Sequence, residues 1–124
     1  MKKITFLLLL YIIFVSCKTE TKEKKATSID QTLTKVSGKE IFEGEGNCIA
    51  CHQPDQKIIG PSLQVIAKIY KAKKGSIVLF LQEKSDPIVD PSQYEIMKTN
   101  FAITKTMSDE ELKALEDYIY SFSK

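Results

Sequence analysis

Apolar residues near the C-terminus recur at the spacing of an α-helix. Leu112, Leu115 and Ile119 follow one another at intervals of three and four residues, which places them on one face of a helix. Ser108 stands just before this stripe and Glu111 follows three residues later, which is the spacing of a capping box. The pattern predicts a helix that begins after Ser108 and packs its apolar face on a core.

A second capping box, formed by Ser37 and Glu40, predicts a first helix from Gly38 to about Gly44. Three shorter helices are expected between the first and the last. They begin at Pro61 or Ser62, at Ser76, and at Ser92, with the third ending near Met97. The apolar run 77–81 is also compatible with a buried strand, because short apolar runs lack a diagnostic period. No partner strands are evident, so we predict an all-α fold of about four to five short helices.

The N-terminal residues have a different pattern. Lys2 and Lys3 precede an almost unbroken apolar run that is too short to span a bilayer comfortably, which is typical of a secretory signal. The run ends at Ser16-Cys17, similar to the cleavage box of bacterial lipoproteins. We therefore predict that residues 1–16 are a signal peptide and that Cys17 is lipidated, which would anchor the chain stably to a membrane.

Residues 17–35 are rich in Lys, Glu and Thr, and such a stretch predicts a flexible tether. The folded domain is then expected to comprise residues 36–124. Without Lys2 and Lys3 the formal charge of the chain falls from +2 to 0, and none of its basic residues is Arg. This charge balance argues against nucleic acid as a partner.

The most specific chemical motif is Cys48-Ile49-Ala50-Cys51-His52. Two thiols at this spacing can form thioethers to one haem, and the His that follows can bind its iron. The alternatives are a disulfide redox pair and a zinc site. A thioredoxin-like pair needs a βαβ context, and a structural zinc site needs four ligands, whereas the remaining cysteine, Cys17, is assigned to lipid. The sequence therefore predicts one covalently bound haem c.

The second axial ligand of the iron is less directly specified. His52 is the only histidine in the chain, so a second His from this chain is excluded. The candidates are Met97, Met107, a lysine, or an open site. Met107 is placed to pack on Leu112 as a hydrophobic staple. Met97 precedes a predicted loop over 98–106 and is the favoured ligand.

The range Gly38 to Phe122 resembles the class I cytochromes c, particularly the short bacterial monohaem cytochromes of the c-551 or c8 type. Besides the haem motif, the matching stretches are Gly38-Lys39-Glu40-Ile41-Phe42, Ile59-Gly60-Pro61-Ser62-Leu63, Met97-Lys98-Thr99-Asn100 and Ser108-Asp109-Glu110-Glu111-Leu112. The resemblance implies that the first and last helices cross. Gly38 and Phe42, with Leu115 and Tyr118, occupy the matching positions.

The same resemblance implies roles for residues around the iron. The Pro61 carbonyl is expected to accept the ring N–H of His52, and the Asn100 side chain is expected to help orient the sulfur of Met97. The two residues after Met97 are Lys and Thr, where the family usually has prolines. The ligand loop is therefore expected to be less rigid than in the family.

Together with the predicted signal peptide, the resemblance implies that the chain is a monomeric electron carrier and not an enzyme. Its partners would be redox proteins such as a reductase, an oxidase or another cytochrome, which surface lysines could steer. The domain would face the periplasm from a lipid anchor. The alternatives are a haem domain with a labile distal site, which binds small ligands or has peroxidatic activity, and a haem-free thiol or zinc module. No Arg or second His is present to assist peroxidatic chemistry.

Overall fold

The computed structural model describes residues 36–123, which form short helices joined by loops. The helices are α1 (Gly38–Glu43), α2 (Leu63–Lys73), α3 (Ile77–Leu81), α4 (Tyr94–Lys98), α5 (Phe101–Thr104) and α6 (Asp109–Tyr120), with 3₁₀ turns at Cys48–Ala50 and Pro91–Gln93. Among the described residues, the extended pairing is limited to an isolated bridge between His52 and Lys57. The all-α prediction is confirmed. The predicted signal peptide, Cys17 and the tether lie outside the described residues.

Helices α1 and α6 cross at close range, as expected for the first and last helices. A β-carbon on Gly38 would stand 1.9 Å from the carbonyl oxygen of Ala114, so only glycine permits this approach. One turn further along α1, the Phe42 ring contacts Tyr118, with the ring centroids 5.4 Å apart. Phe42 and Leu115 are both buried, so the crossing contributes directly to the core.

The predicted capping box forms at the start of α6. The Glu111 N–H donates to the Ser108 hydroxyl at 3.2 Å, and the Ser108 N–H donates to the Glu111 carboxylate at 2.7 Å. These bonds satisfy N–H groups that a helix start otherwise leaves without partners. Leu112, Leu115 and Ile119 are buried on the inner face, as the apolar stripe predicts.

Helices α2 and α3 also begin at serines. Ser62 and Ser76 each accept a hydrogen bond from the backbone N–H three residues later, at 3.3 and 3.2 Å. Helix α2 starts at Leu63, so Pro61 lies ahead of the cap and not at the first helical position. The apolar run 77–81 is helical, which settles the choice between helix and strand left open by its pattern. No helix within residues 36–123 is long and apolar enough to cross a membrane.

The region 90–106 departs most from the prediction. Ser92 does not cap a helix, because it lies within the 3₁₀ turn Pro91–Gln93, whereas an N-cap residue has a non-helical backbone. Its hydroxyl donates to Asp90 at 2.6 Å. The helix expected there is present as α4, but it follows a 3₁₀ turn and has no side-chain cap. Helix α5 lies where a loop was predicted. Phe101 in α5 is only 2% exposed, so packing against the core explains a helix that has no local start signal.

We predict that Gly38→Ala lowers the free energy of unfolding by about 2–3 kcal/mol, because the new methyl group pushes α1 away from α6. Urea denaturation of the haem-loaded protein measures the change. Lys39→Ala, at an exposed position on the same helix, is the control and should alter stability by less than about 0.5 kcal/mol. A more stable Gly38→Ala variant would show that helix propensity outweighs the crossing.

Candidate haem-binding site

A cavity that opens to solvent lies between the helices and the loops that join them. Its lining is predominantly apolar, and its buried wall residues include Phe42, Leu63, Tyr70, Leu81, Leu115 and Ile119. Ile59 and Ile96 also line the cavity, yet they are 50% and 51% exposed, so they lie at its rim. Such a cavity suits a large apolar group with one edge toward solvent.

The 3₁₀ turn Cys48–Ala50 directs the attachment motif into this cavity. The backbone N–H groups of Cys51 and His52 donate to the Cys48 carbonyl at 3.1 and 3.0 Å. Asn47, just before the turn, has a left-handed backbone with φ of 50°, which Asn tolerates better than most residues. As a result Cys48, Cys51 and His52 all line the cavity, and both cysteines are free thiols.

Burial makes the two thiols chemically different. It raises the pKa of the Cys48 thiol to about 11, with a smaller contribution from the neighbouring Cys51. Cys48 is therefore a protonated thiol at neutral pH, and its S–H donates to the Gly46 carbonyl at 3.3 Å. Cys51 is partly exposed. The motif thus presents two thiols to the same cavity, one buried and one partly exposed.

A single hydrogen bond sets the orientation and tautomer of His52. Its Nδ1 lies 2.7 Å from the Pro61 carbonyl oxygen. Because a carbonyl can only accept, Nδ1 carries the proton and the lone pair lies on Nε2. Burial lowers the pKa of the imidazole, and the bond to Pro61 opposes this in part. The ring is therefore neutral at pH 7, which is the form that binds metal ions.

Gly60 is a site residue that the sequence reasoning missed. A β-carbon at this position would lie 2.4 Å from Cε1 of the His52 ring, so the backbone passes directly against the imidazole. The Gly60 N–H also donates to the Cys51 carbonyl at 2.8 Å. Sequence spacing identifies a Gly-Pro turn here, but it does not reveal which side chain the turn touches. The Gly60 backbone and the Pro61 carbonyl together hold the ring.

The two candidate methionines occupy different places. Met97 lines the same cavity as His52 and is partly buried against the core. Met107 is also partly buried against the core, but it is not among the residues that line the cavity. A thioether sulfur in the cavity wall is available to a metal inside, whereas one packed elsewhere is not. The geometry therefore separates a ligand candidate from a packing residue.

Asn100 lines the cavity together with Met97. Its side-chain amide donates to the Gly46 carbonyl at 3.0 Å, so it contacts the backbone just before the attachment motif. The acceptor is the same carbonyl to which Cys48 donates. Asn100, three residues after Met97, thus contacts the loop that precedes Cys48.

These residues fit a covalently attached haem. Two thiols, a neutral imidazole with a free Nε2 and a thioether all line one apolar cavity, and this donor set is that of a His/Met haem c. A zinc site fits poorly, because within residues 36–123 no group of three or more His, Cys, Asp or Glu side chains is placed to hold a metal ion.

Comparison with known proteins agrees with this geometry. Residues 36–123 match the sequence profile of the family described as cytochrome c. The chain is also similar to cytochrome c2 of Rubrivivax gelatinosus, with 45% identity over 38 residues, which is 31% of this chain and 45% of that protein. The chain therefore spans less than half the length of this relative. Because the family match extends over the whole described domain and includes the Cys48-x-x-Cys51-His52 motif, this chain belongs to the cytochrome c family, and its cofactor is covalent haem c.

Proposed function

We propose that this protein is a one-electron carrier whose single haem c is ligated by His52 and Met97. The observation that carries this proposal is the convergence of the attachment motif, a neutral imidazole and Met97 on one apolar cavity. When bound, haem c supplies an iron that changes reversibly between two oxidation states, with a potential raised by His/Met ligation.

The chain's own residues have distinct tasks in this proposal. Cys48 and Cys51 hold the cofactor through thioethers, and His52 presents Nε2 to the iron. The Pro61 carbonyl keeps the proton on Nδ1 and increases the donor strength of the ring. If His52 and Met97 both held the iron, they would leave it no free coordination position for a substrate. This supports a carrier over a catalyst or a ligand-binding haem domain.

The cavity rim supports exchange of electrons with another protein. Ile59 and Ile96 present half-exposed apolar side chains there, which suits brief contact with a redox partner. Lys57 is paired with Asp90 at 3.1 Å, so part of its charge is compensated within the chain. Steering of an acidic partner would then rest on the other lysines, chiefly Lys68 and Lys74, which are exposed. The partner class we propose is a respiratory redox protein.

We further propose that the domain of residues 36–124 is exported and held at a membrane. The support is the sequence alone: a signal-like stretch over 1–16, a cysteine directly after it, and a polar tether over 17–35. A lipid on Cys17 would keep the haem domain at the membrane surface, facing the periplasm, within reach of membrane-bound partners.

The distal assignment predicts that Met97→Ala abolishes the methionine–iron charge-transfer band of the oxidised protein and lowers the reduction potential, because a thioether ligand favours the reduced iron. Met107→Ala is the matched control. It should keep the band and cost about 2–3 kcal/mol of stability, since it removes a packed side chain away from the cavity. Absorption spectra and redox titration of both haem-loaded variants give the answer. If the effects are exchanged between the variants, Met107 is the ligand.

The contact between Gly60 and the imidazole predicts that Gly60→Ala disturbs His52. The added methyl should cost about 1–3 kcal/mol of stability and change the electron paramagnetic resonance spectrum of the oxidised iron, because the ring must move. Gly44→Ala is the control, since its β-carbon would meet the Glu40 carbonyl at 2.8 Å, away from the cavity. It should lower stability and leave the spectrum as in the parent. An unchanged Gly60→Ala spectrum would contradict a positioning role for Gly60.

The lipid-anchor proposal predicts that Cys17→Ala leaves the haem attached but moves the protein out of the membrane fraction. Haem-stained gels of membrane and soluble fractions, together with incorporation of labelled palmitate, measure both properties. Thr19→Ala is the control and should remain labelled and membrane-bound. A Cys17→Ala protein that still sediments with membranes would point to an uncleaved apolar anchor.

A further inference from the structure

Helix α3 is a short part of the haem-cavity wall with little stability of its own. It has five residues, of which Ile77, Phe80 and Leu81 line the cavity. Lys74 and Glu83, on either side of it, have left-handed backbones, which interrupt a helix. A helix of five residues is marginal by itself. Contacts with other elements must therefore define where this part of the wall lies.

The N-terminal end of α3 is held by Glu116, a residue of α6. One carboxylate oxygen, Oε1, accepts the backbone N–H of Ile77 at 3.1 Å and, more weakly, that of Val78 at 3.5 Å. The local cap, Ser76, accepts the N–H of Leu79 at 3.2 Å. The first N–H groups of a helix have no partner within it. Here a neighbouring side chain and one that is distant in sequence share the task of satisfying them.

Two further contacts surround this carboxylate. Tyr120 lies one turn after Glu116 in α6, and its hydroxyl donates to the Gly75 carbonyl at 3.4 Å. The second oxygen of Glu116, Oε2, lies 3.6 Å from Nζ of Lys113. The Lys113 side chain is 57% exposed, whereas that of Glu116 is only 13% exposed, so water competes little for the bonds to α3. Because hydrogen bonds to a charged acceptor are stronger than neutral ones, Glu116 is the main contact at this end.

The C-terminal end of α3 is held from α5. The hydroxyl of Thr104, a fully buried residue, donates to the Leu81 carbonyl at 2.7 Å. The three preceding carbonyls of the helix accept the backbone N–H groups of residues 82–84. Both ends of α3 are therefore fastened by side chains of other helices, and the two contacts together fix its position.

The position of α3 matters to the cavity through Phe80. The Phe80 ring lies among three other aromatic rings, with its centroid 6.4 Å from Tyr70, 6.4 Å from Tyr94 and 5.3 Å from Phe101. A displacement of α3 would take Phe80 out of this group and admit water to the cavity. The apolar shell around a metal controls solvent access and thereby its reduction potential. A dry wall disfavours the additional positive charge of oxidised iron, so it raises the potential.

We propose that Glu116 is a positioning residue for the haem cavity. By holding the N-terminal end of α3, it keeps Ile77 and Phe80 in the wall, excludes water and so raises the reduction potential of the haem. Thr104 acts in the same way at the other end. This inference rests on the electron-carrier function proposed above, but it is independent of which residue is the distal ligand.

Hydrogen exchange of backbone amides in the haem-loaded, full-length protein tests whether Glu116 holds α3. The informative amides are those of Phe80 and Gln82, because they donate to backbone carbonyls and not to Glu116. Glu116→Leu removes the acceptor, and we expect these two amides to exchange about tenfold faster, the effect of losing a hydrogen bond to a charged group. Glu116→Gln retains an acceptor oxygen and should lie closer to the parent protein.

Glu111→Leu is the matched control. The Glu111 carboxylate also accepts a backbone N–H, from Ser108 at 2.7 Å, but it does so at the start of α6, and Glu111 does not line the cavity. This variant should unfold at a lower urea concentration. The exchange of the α3 amides relative to those of α2 should stay as in the parent protein. Acceleration in α3 no greater than in α2 for Glu116→Leu would overturn the inference.

Redox titration of the same variants tests the effect on the cofactor. Glu116→Leu and Glu116→Gln both remove a negative charge, which by itself raises the potential, but only Glu116→Gln retains an acceptor for α3. We therefore expect the potential of Glu116→Leu to lie below that of Glu116→Gln. Asp117→Asn removes a charge from the next position of α6 and controls for charge alone, so its potential should not fall. Equal potentials for the two Glu116 variants would contradict a role for the wall.

Thr104→Val tests the other end of α3 with a side chain of nearly the same shape. It removes the donor to the Leu81 carbonyl, and we expect faster exchange of the Phe80 amide and a lower potential, as in Glu116→Leu. A Thr104→Val protein with unchanged Phe80 exchange would show that α3 is not held as a unit. Failure of the carrier function is seen separately, as a haem that does not titrate reversibly with one electron in the parent protein.

Discussion

The close approach of α1 to α6 at Gly38 is the contact on which the rest of the domain depends. Helix α1 leads into the loop that presents the haem motif, and α6 supplies Leu115 and Ile119 to the facing cavity wall. Helix α6 also holds α3, because the Glu116 carboxylate accepts the backbone N–H of Ile77 at 3.1 Å. The crossing therefore fixes the distance between the attachment motif and the wall opposite it. A side chain at Gly38 would push α1 away from α6 and so shift the attachment motif relative to Leu115 and Ile119.

The two sides of the cavity are built in different ways. On the histidine side, backbone atoms do the positioning: a 3₁₀ turn, the Gly60 main chain and the Pro61 carbonyl surround His52. Around Met97, side chains make the contacts with residues distant in sequence: Asn100 donates to the Gly46 carbonyl, and Asp90 accepts from Lys57. The backbone contacts leave the His52 ring little freedom to move, whereas the side-chain contacts around Met97 can break one at a time. The cavity thus combines a firmly held His52 ring with a wall around Met97 whose side-chain contacts are more easily broken.

Local signals in the sequence predicted the parts of this fold that depend on local chemistry. The serines before α1, α2, α3 and α6 all accept the expected backbone hydrogen bonds, because a cap needs only neighbouring residues. Ser92 has the same spacing but does not cap, since Pro91 starts a 3₁₀ turn that already includes Ser92, and a residue with helical backbone cannot serve as an N-cap. Helix α5 was missed because it forms around the buried ring of Phe101, and burial is a property of the whole fold.

The same distinction between local and tertiary contacts explains which site residues could be predicted from the sequence. Cys48, Cys51 and His52 could be identified from spacing because haem attachment requires them to be adjacent in the chain. The contact of Gly60 with the His52 ring and the Gly46 acceptor of Asn100 are tertiary, and no local pattern encodes them. The choice of Met97 over Met107 from sequence rested on explaining Met107 as a packing residue. The structure supports that reasoning by lining the cavity with Met97, while ligation itself remains a proposal.

The presence of two thiols in the cavity wall also changes how the domain retains its cofactor. A cofactor held only by contacts leaves a fraction of the protein unloaded, and that fraction grows as the cofactor becomes scarce. A cofactor joined by two covalent bonds stays at a fixed, high effective concentration within its own cavity, whatever lies outside. Each time the domain refolds, the attached cofactor is present to contact apolar residues such as Leu115 and Ile119, and this contact stabilises the fold. The stability of this domain thereby becomes independent of the concentration of free haem.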